Sequence, residues 1–192
     1  MALIRTRFIF LRHGETEWNA RGVSQGNVDV PLNARGWAQA RAAAAALRGQ
    51  GIATIVHSPL SRARDTAAVI AEALDLPLHE DPDLREAAFG VQEGQPNGEW
   101  FGHWVRGAFT PVGGESFAVL SARALGAMNR ALARDPIVLV VGHGAFFRAV
   151  RAAMGLPIDV KTPNAEPLLL EPPEEQGGVW RLTPLAVPAL EV

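Results

Sequence analysis

The hydrophobic pattern of the chain alternates between two periods. Phe8 to Leu11 is an unbroken apolar run, which predicts a strand covered on both faces, and Ala53 to Val56 and Ile137 to Val141 repeat the form. Between them the apolar residues fall at helical spacing. Asn33 is placed as an N-cap, with Leu32 able to pack on Trp37, and Gly49 ends that helix. Ser58-Pro59 predicts a capped helix whose apolar face is Ala63, Ala67, Ile70 and Leu74. Ser116 to Arg134 is the clearest amphipathic pattern, with Phe117, Leu120, Ala124, Ala127, Met128 and Ala131 recurring every three or four positions. A helix from Gly144 to Met154 follows, then two short apolar runs, Leu168 to Leu170 and Val179 to Leu182, which suit an edge hairpin or late strands. A brief strand is allowed between Leu78 and Asp83. The least regular part is Phe89 to Gly114. This order predicts an α/β fold in one domain spanning 1-192, with a lid-like insertion at about 95-113.

Composition narrows the class. A chain of 192 residues, 48% hydrophobic and with net charge -2, lacks the positive excess that a nucleic-acid backbone demands. Without cysteine there is no disulfide framework or thiolate metal site, and no apolar stretch is long enough for a bilayer. The expectation is a cytoplasmic protein that meets neither membrane nor nucleic acid, with a homodimer left open. Seventeen arginines stand against a single lysine, Lys161, a bias read here as genome composition.

The candidate chemistry sits where strands end. Arg12, His13 and Gly14 follow the first apolar run, and Gly142-His143-Gly144 follows the run at 137–141. In an open α/β sheet the carboxyl ends of strands present ligand groups, so two imidazoles and a guanidinium belong to one rim. Arg62 falls in the first turn of a helix, where the macrodipole disfavours a cation unless an anion is near. Helix N-termini after 58 and after 143 are expected to point at the same place. Guanidinium forks with such backbone donors form a receptor for phosphate, and a neutral imidazole inside it suggests attack on phosphorus.

These residues lie in the segments LRHGETEWN, QGNVDVPL, SPLSRARDTA, DLREAAFGVQEG, GGES and VVGHG. In their order and approximate spacing they resemble the histidine phosphatase superfamily, also called the phosphoglycerate mutase-like family. The resemblance runs from about Phe8 to Gly144. It implies a three-layer α/β/α sandwich with a mostly parallel central sheet and no metal or other cofactor. It makes His13 the nucleophile that becomes phosphohistidine and Glu86 the proton donor. Arg12, Arg62, His143 and Asn19 would bind the phosphoryl group, with Gln25 and Gly26 toward the substrate. Glu93 and Glu115 would support the pocket, and Gln92 departs from the tryptophan usual at its place.

Mutases of this kind carry a longer chain with a basic, tyrosine-containing insertion, whereas this chain has no tyrosine. The expectation is therefore a phosphatase acting on a small phosphorylated metabolite. Cofactor-dependent phosphoglycerate mutase and non-catalytic phosphoester binding are the alternatives. A metal-dependent hydrolase is disfavoured, since neither HExxH nor paired-His spacing occurs. Within the 95-113 segment, Trp100 and Trp104 at helical spacing read as packing, while Trp104 and Arg106 are its candidates for substrate contact.

Overall fold

The computed structural model describes residues 2–175 and 178–190. Six strands form one sheet, β1 (Phe8–Arg12), β2 (Thr54–His57), β3 (Leu78–Glu80), β4 (Val138–Gly142), β5 (Leu168–Glu171) and β6 (Arg181–Pro184), in the spatial order β3-β2-β4-β1-β5-β6. The first four are mutually parallel. β5 runs antiparallel to both β1 and β6, which together close the far edge. The late runs thus form a hairpin, but only β6 is an edge strand. It starts two residues later than the apolar run suggested and finishes on Pro184, which an edge tolerates because a missing N–H there breaks no interior ladder.

Side chains of the central strands alternate between two cores, as a pleated strand requires. Phe8, Phe10, Val138 and Val140 pack with α5 (Phe117–Leu132) and α6 (Gly144–Ala153). Ile9, Leu11, Leu139 and Val141 face the alanines of α2 (Ala34–Leu47) and α3 (Ser61–Leu74). Both faces of the sheet are therefore covered by helices. None of the described helices is long and apolar enough to cross a membrane.

β1 and β4 are neighbours in register, with Arg12 opposite Gly142, yet the helices that follow them go to opposite faces. Such a switch point leaves a crevice beyond the carboxyl ends of the two strands, because no crossover helix fills it.

Local structure departs from the sequence pattern in two places, and a close backbone approach marks a third. The helix after β2 starts at Ser61, not at Ser58-Pro59. Its N-cap residue Leu60 offers no side-chain cap, and Asp29 Oδ1 instead accepts from both the Ser61 N–H and its hydroxyl at 2.8 Å. Two helices went unread: α1 (Glu17–Ala20), held by a Thr16/Asn19 capping box, and α4 (Trp100–Val105) inside the irregular segment. Gly14 does not adopt a left-handed turn. Its missing Cβ lets the backbone lie against Gly36 of α2, whose own missing Cβ leaves room for the Glu15 carbonyl.

Candidate active site

A cavity of about 320 Å³ opens at the β1/β4 switch point. Arg12, His13, Asn19, Gln25, Gly26, Arg62 and Glu86 line it, and His143 stands immediately behind, its ring centre 5.2 Å from that of His13. Each side chain is held in a definite way.

His13 directly follows β1, and its backbone N–H donates to the Gly142 carbonyl across the sheet at 3.0 Å. Its Nδ1 lies 2.7 Å from the Gly14 carbonyl oxygen, which can only accept, so Nδ1 carries the proton and Nε2 keeps its lone pair. Burial, then the nearby Arg62 and Arg12 guanidiniums, hold this imidazole well below the ordinary histidine range. It is neutral at physiological pH. His143 is likewise held neutral, by burial and then by Arg62. Its Nε2 meets the Ser58 hydroxyl at 2.7 Å, and that oxygen already accepts from the Leu60 N–H at 3.3 Å. The buried Ser58 hydroxyl has no other acceptor for its own hydrogen among the described residues, so it donates to Nε2, and the neutral ring carries its proton on Nδ1. The serine read as a helix cap instead fixes a tautomer.

The arginines spend part of their forks on backbone. Arg62, fully buried, gives its two terminal nitrogens to the carbonyls of Val28 and Gly26 at 2.8 and 2.7 Å. Burial pushes it down to about 10, against the pull of Glu86 and then Asp29. Arg12 reaches the Thr162 carbonyl at 2.8 Å and is lowered by burial, with Glu86 opposing. Arg12 Nε, Arg62 Nε and His143 Nδ1 are buried donors without a partner among the described residues. Buried polar groups are normally paired, so three unpaired donors around one cavity suit an acceptor-only anion.

Glu86 occupies the start of α6. Oε1 accepts from the N–H groups of Ala87 and Phe146 at 3.0 and 2.8 Å, and Oε2 accepts from that of Ala145 at 3.0 Å. The helix N-termini expected to point at this place are thus partly occupied already. Carboxylates, Asp29 and Glu86, already take the terminal N–H groups of Ser61, Ala145 and Phe146, because orphan donors at a helix end favour an anion. Oε2 has one amide donor where Oε1 has two, so Oε2 keeps an acceptor position for a proton in the cavity.

Asn19 Oδ1 is used in the capping box and by Asn164 Nδ2 at 3.2 Å. Gln25 accepts from the Thr16 hydroxyl at 3.0 Å. Gly26 has a positive φ, and a Cβ there would run into the Glu93 carboxylate. Glu93 Oε1 accepts from the N–H groups of Asn27 and Phe89 and ties two loops together. Glu115 accepts from the Ala88 N–H and pairs with Arg123.

Two of the residues picked from sequence stand away from the cavity. Trp104 is fully buried, packed edge-on against Phe89 and Phe117, with its indole N–H donated to the Glu115 carbonyl at 2.8 Å. Arg106 is exposed and folds back on His103 of its own helix. Neither lines the cavity, because α4 turns its apolar face into the core. The segment contributes Asn97, Gly98 and Phe101 instead, and its start is stitched to the 22–25 loop through Ser24 Oγ to Asn97 Oδ1 at 2.8 Å.

Sequence reasoning also missed Arg123, Asn164, Arg148, Lys161 and Thr162. Arg123 of α5 donates to the carbonyls of Asp83, Arg85 and Glu86, which shapes the loop that delivers Glu86. Asn164 donates to the His13 carbonyl at 2.9 Å. Arg148, Lys161 and Thr162 line the cavity. The solitary lysine was the available signal for Lys161.

Comparison with known proteins agrees with this geometry. The model of the histidine phosphatase superfamily (branch 1) matches residues 8–172, and the chain belongs to that superfamily. The uncharacterized phosphatase PhoE of Bacillus subtilis is 36% identical over 147 residues, 76% of this chain and 75% of that protein. The probable phosphoglycerate mutase GpmB of Yersinia enterocolitica is 38% identical over 173 residues, 82% of this chain and 77% of its own length. The bifunctional protein Rv2228c of Mycobacterium tuberculosis is 40% identical over 149 residues, which make up 72% of this chain but only 41% of that protein. Among solved structures, mycobacterial glucosyl-3-phosphoglycerate phosphatase Rv2419c in complex with VO3 superposes with a TM-score of 0.81 at 30% identity, over 95% of this chain and 99% of that one.

Proposed function

We propose that the chain is a phosphomonoesterase that hydrolyses a small phosphorylated metabolite through a phosphohistidine at His13, without a metal ion. One observation carries the reading: a neutral imidazole, its Nδ1 proton held by the Gly14 carbonyl, keeps its Nε2 lone pair in a cavity rimmed by unpaired cationic donors.

In the first step Nε2 of His13 attacks phosphorus and the bond to the alcohol oxygen breaks. Glu86, through Oε2, passes a proton to the leaving oxygen, which an alkoxide needs. Arg12, Arg62 and the His143 Nδ1–H take up the charge on the equatorial oxygens, with most of their orientation fixed in advance by backbone partners. In the second step water attacks the phosphohistidine, Glu86 accepts the water proton, and His13 is released neutral. Asn164 acts through the His13 carbonyl and Arg123 through the Glu86 loop, both as positioning residues.

A second reading, phosphoglycerate mutase, is supported by the probable mutases among the relatives. It shares the first step and differs in whether water or a second hydroxyl receives the phosphoryl group.

Purified protein should release phosphate from one or more members of a panel of phosphorylated metabolites and from p-nitrophenyl phosphate. Activity should survive exhaustive EDTA treatment and yield to vanadate. Loss of activity in EDTA that a divalent metal restores would overturn the metal-independent mechanism. Isomerisation of phosphoglycerate faster than its hydrolysis would favour the mutase.

A further inference from the structure

The cavity carries more positive charge than a phosphoryl group needs. Beyond Arg12 and Arg62 its lining includes Arg148 of α6 and Lys161 of the loop before β5, while the chain as a whole has a net charge of -2. Neither side chain is in an ion pair among the described residues. Arg148 donates to the Ile158 carbonyl, and its guanidinium lies 5.2 Å from the centre of the Phe101 ring, which leaves its remaining donors for the cavity. Burial lowers Arg148, and Glu86 and then Asp159 stand near enough to offset part of that charge. Lys161 is exposed and has no such neighbour among the hydrogen bonds described.

An independent observation falls in the same place. Thr162 lines the cavity at only 2% exposure, and its hydroxyl is buried without a partner among the described residues. The Thr162 carbonyl meanwhile anchors Arg12 at 2.8 Å, so this loop is fixed against the phosphoryl end. An ammonium, a guanidinium and an unpaired hydroxyl thus line the same cavity as Arg12 and Arg62. The rest of the lining is mixed and includes Val23, Ser24, Asn97 and Phe101, the ring on which Arg148 rests.

We propose that Lys161, Arg148 and the Thr162 hydroxyl form a second anion subsite, and that the substrate is the phosphomonoester of a small alcohol bearing a second anionic group. The identification of the first subsite rests on the phosphomonoesterase reading. A lysine suits the role because its flexible point charge follows anions of different shape, whereas the arginine forks at the phosphoryl end impose one geometry. A carboxylate and a second phosphate share this chemistry, and the probes below distinguish them.

The test is calorimetric titration of wild type, Lys161→Gln and Thr162→Val with propylphosphonate, carboxyethylphosphonate and propylene bisphosphonate, none of which can be hydrolysed. Wild type should bind one of the doubly anionic probes about tenfold more tightly than propylphosphonate, the effect expected of one charge-assisted contact. Which probe it prefers identifies the second group. Lys161→Gln should remove most of that preference and Thr162→Val a smaller part. Equal affinity for all three probes, or a preference that persists in Lys161→Gln, overturns the subsite. Turnover of p-nitrophenyl phosphate by the same wild-type preparation separates the two claims. Turnover without preference sinks the subsite alone, and preference without turnover sinks the phosphatase reading alone.

Discussion

The inner and outer walls of the cavity are built on different principles. The inner wall comes from the ends of β1 and β4, the starts of α3 and α6, and the loop that carries Glu86 against α6. His13, Arg62, Glu86 and His143 are all buried there, and each is tied to backbone or to a hydroxyl. The outer wall comes from loops at 22–25, 97–99 and 161–162 and the first turn of α4, and Asn97 and Lys161 are exposed there. Reacting groups need positions fixed to a fraction of an ångström, which a strand end supplies for His13 and three backbone donors supply for Glu86. A wall that only selects a leaving group needs no such precision, and loops can differ there without disturbing the chemistry.

That contrast sets the order of expected effects. His13→Ala removes the nucleophile from the inner wall and should lower turnover on the order of 10⁴-fold or more, while melting stays near that of wild type. Retention of a sizeable fraction of activity would place the nucleophile elsewhere. Glu86→Gln should slow phosphoenzyme formation from alkyl phosphates by roughly 100-fold to 10,000-fold and from p-nitrophenyl phosphate far less, since nitrophenolate leaves without a proton. Equal slowing of both in single-turnover experiments would make Glu86 a structural anchor for α6.

A third pair of variants sharpens the boundary between wall and core. Trp104→Ala opens a void among Phe89, Phe101 and Phe117 and should destabilise by about 3 to 5 kcal/mol in urea unfolding, whereas Arg106→Ala should fall within about 0.5 kcal/mol. A change of substrate preference with unchanged stability in Trp104→Ala would return that residue to the cavity.

The smallest effect concerns pH. His13 and His143 are lowered in the folded state by burial and by Arg62, so the unfolded chain binds more protons in the window just below the ordinary histidine value of about 6.5. Their contribution is fully present above that value and is lost as pH falls through the folded values. The denaturation midpoint of wild type should therefore drop on acidification from pH about 6.5, and that of His143→Asn should drop less. Parallel curves would mean that His143 takes up its proton over the same pH range in the folded and unfolded chains.

Much of the sheet was legible because its strands are continuous apolar runs that stop abruptly on charge. The positions of Arg12, His13, Arg62, Glu86 and His143 on one rim followed from motif order together with the strand-end rule. What sequence hid was set by contacts between distant residues. Asp29 and Glu86 occupy helix termini that local pattern leaves open, separated from their donors by 32 and about 60 residues. Ser58 has the look of a cap, but its hydroxyl serves a histidine 85 positions away. Trp104 and Arg106 shared an irregular segment whose glycines concealed α4. Helical spacing alone does not say which face turns inward, and here the tryptophan went to the core.

The central claim is that the phosphoryl group passes through His13, and rapid-quench labelling tests it most directly. Enzyme mixed with a radiolabelled phosphomonoester, quenched in alkali and digested, should yield an acid-labile, alkali-stable label on the peptide carrying His13, formed faster than phosphate is released and absent in His13→Ala. Steady turnover with no labelled enzyme, or with label on another residue, would contradict the account.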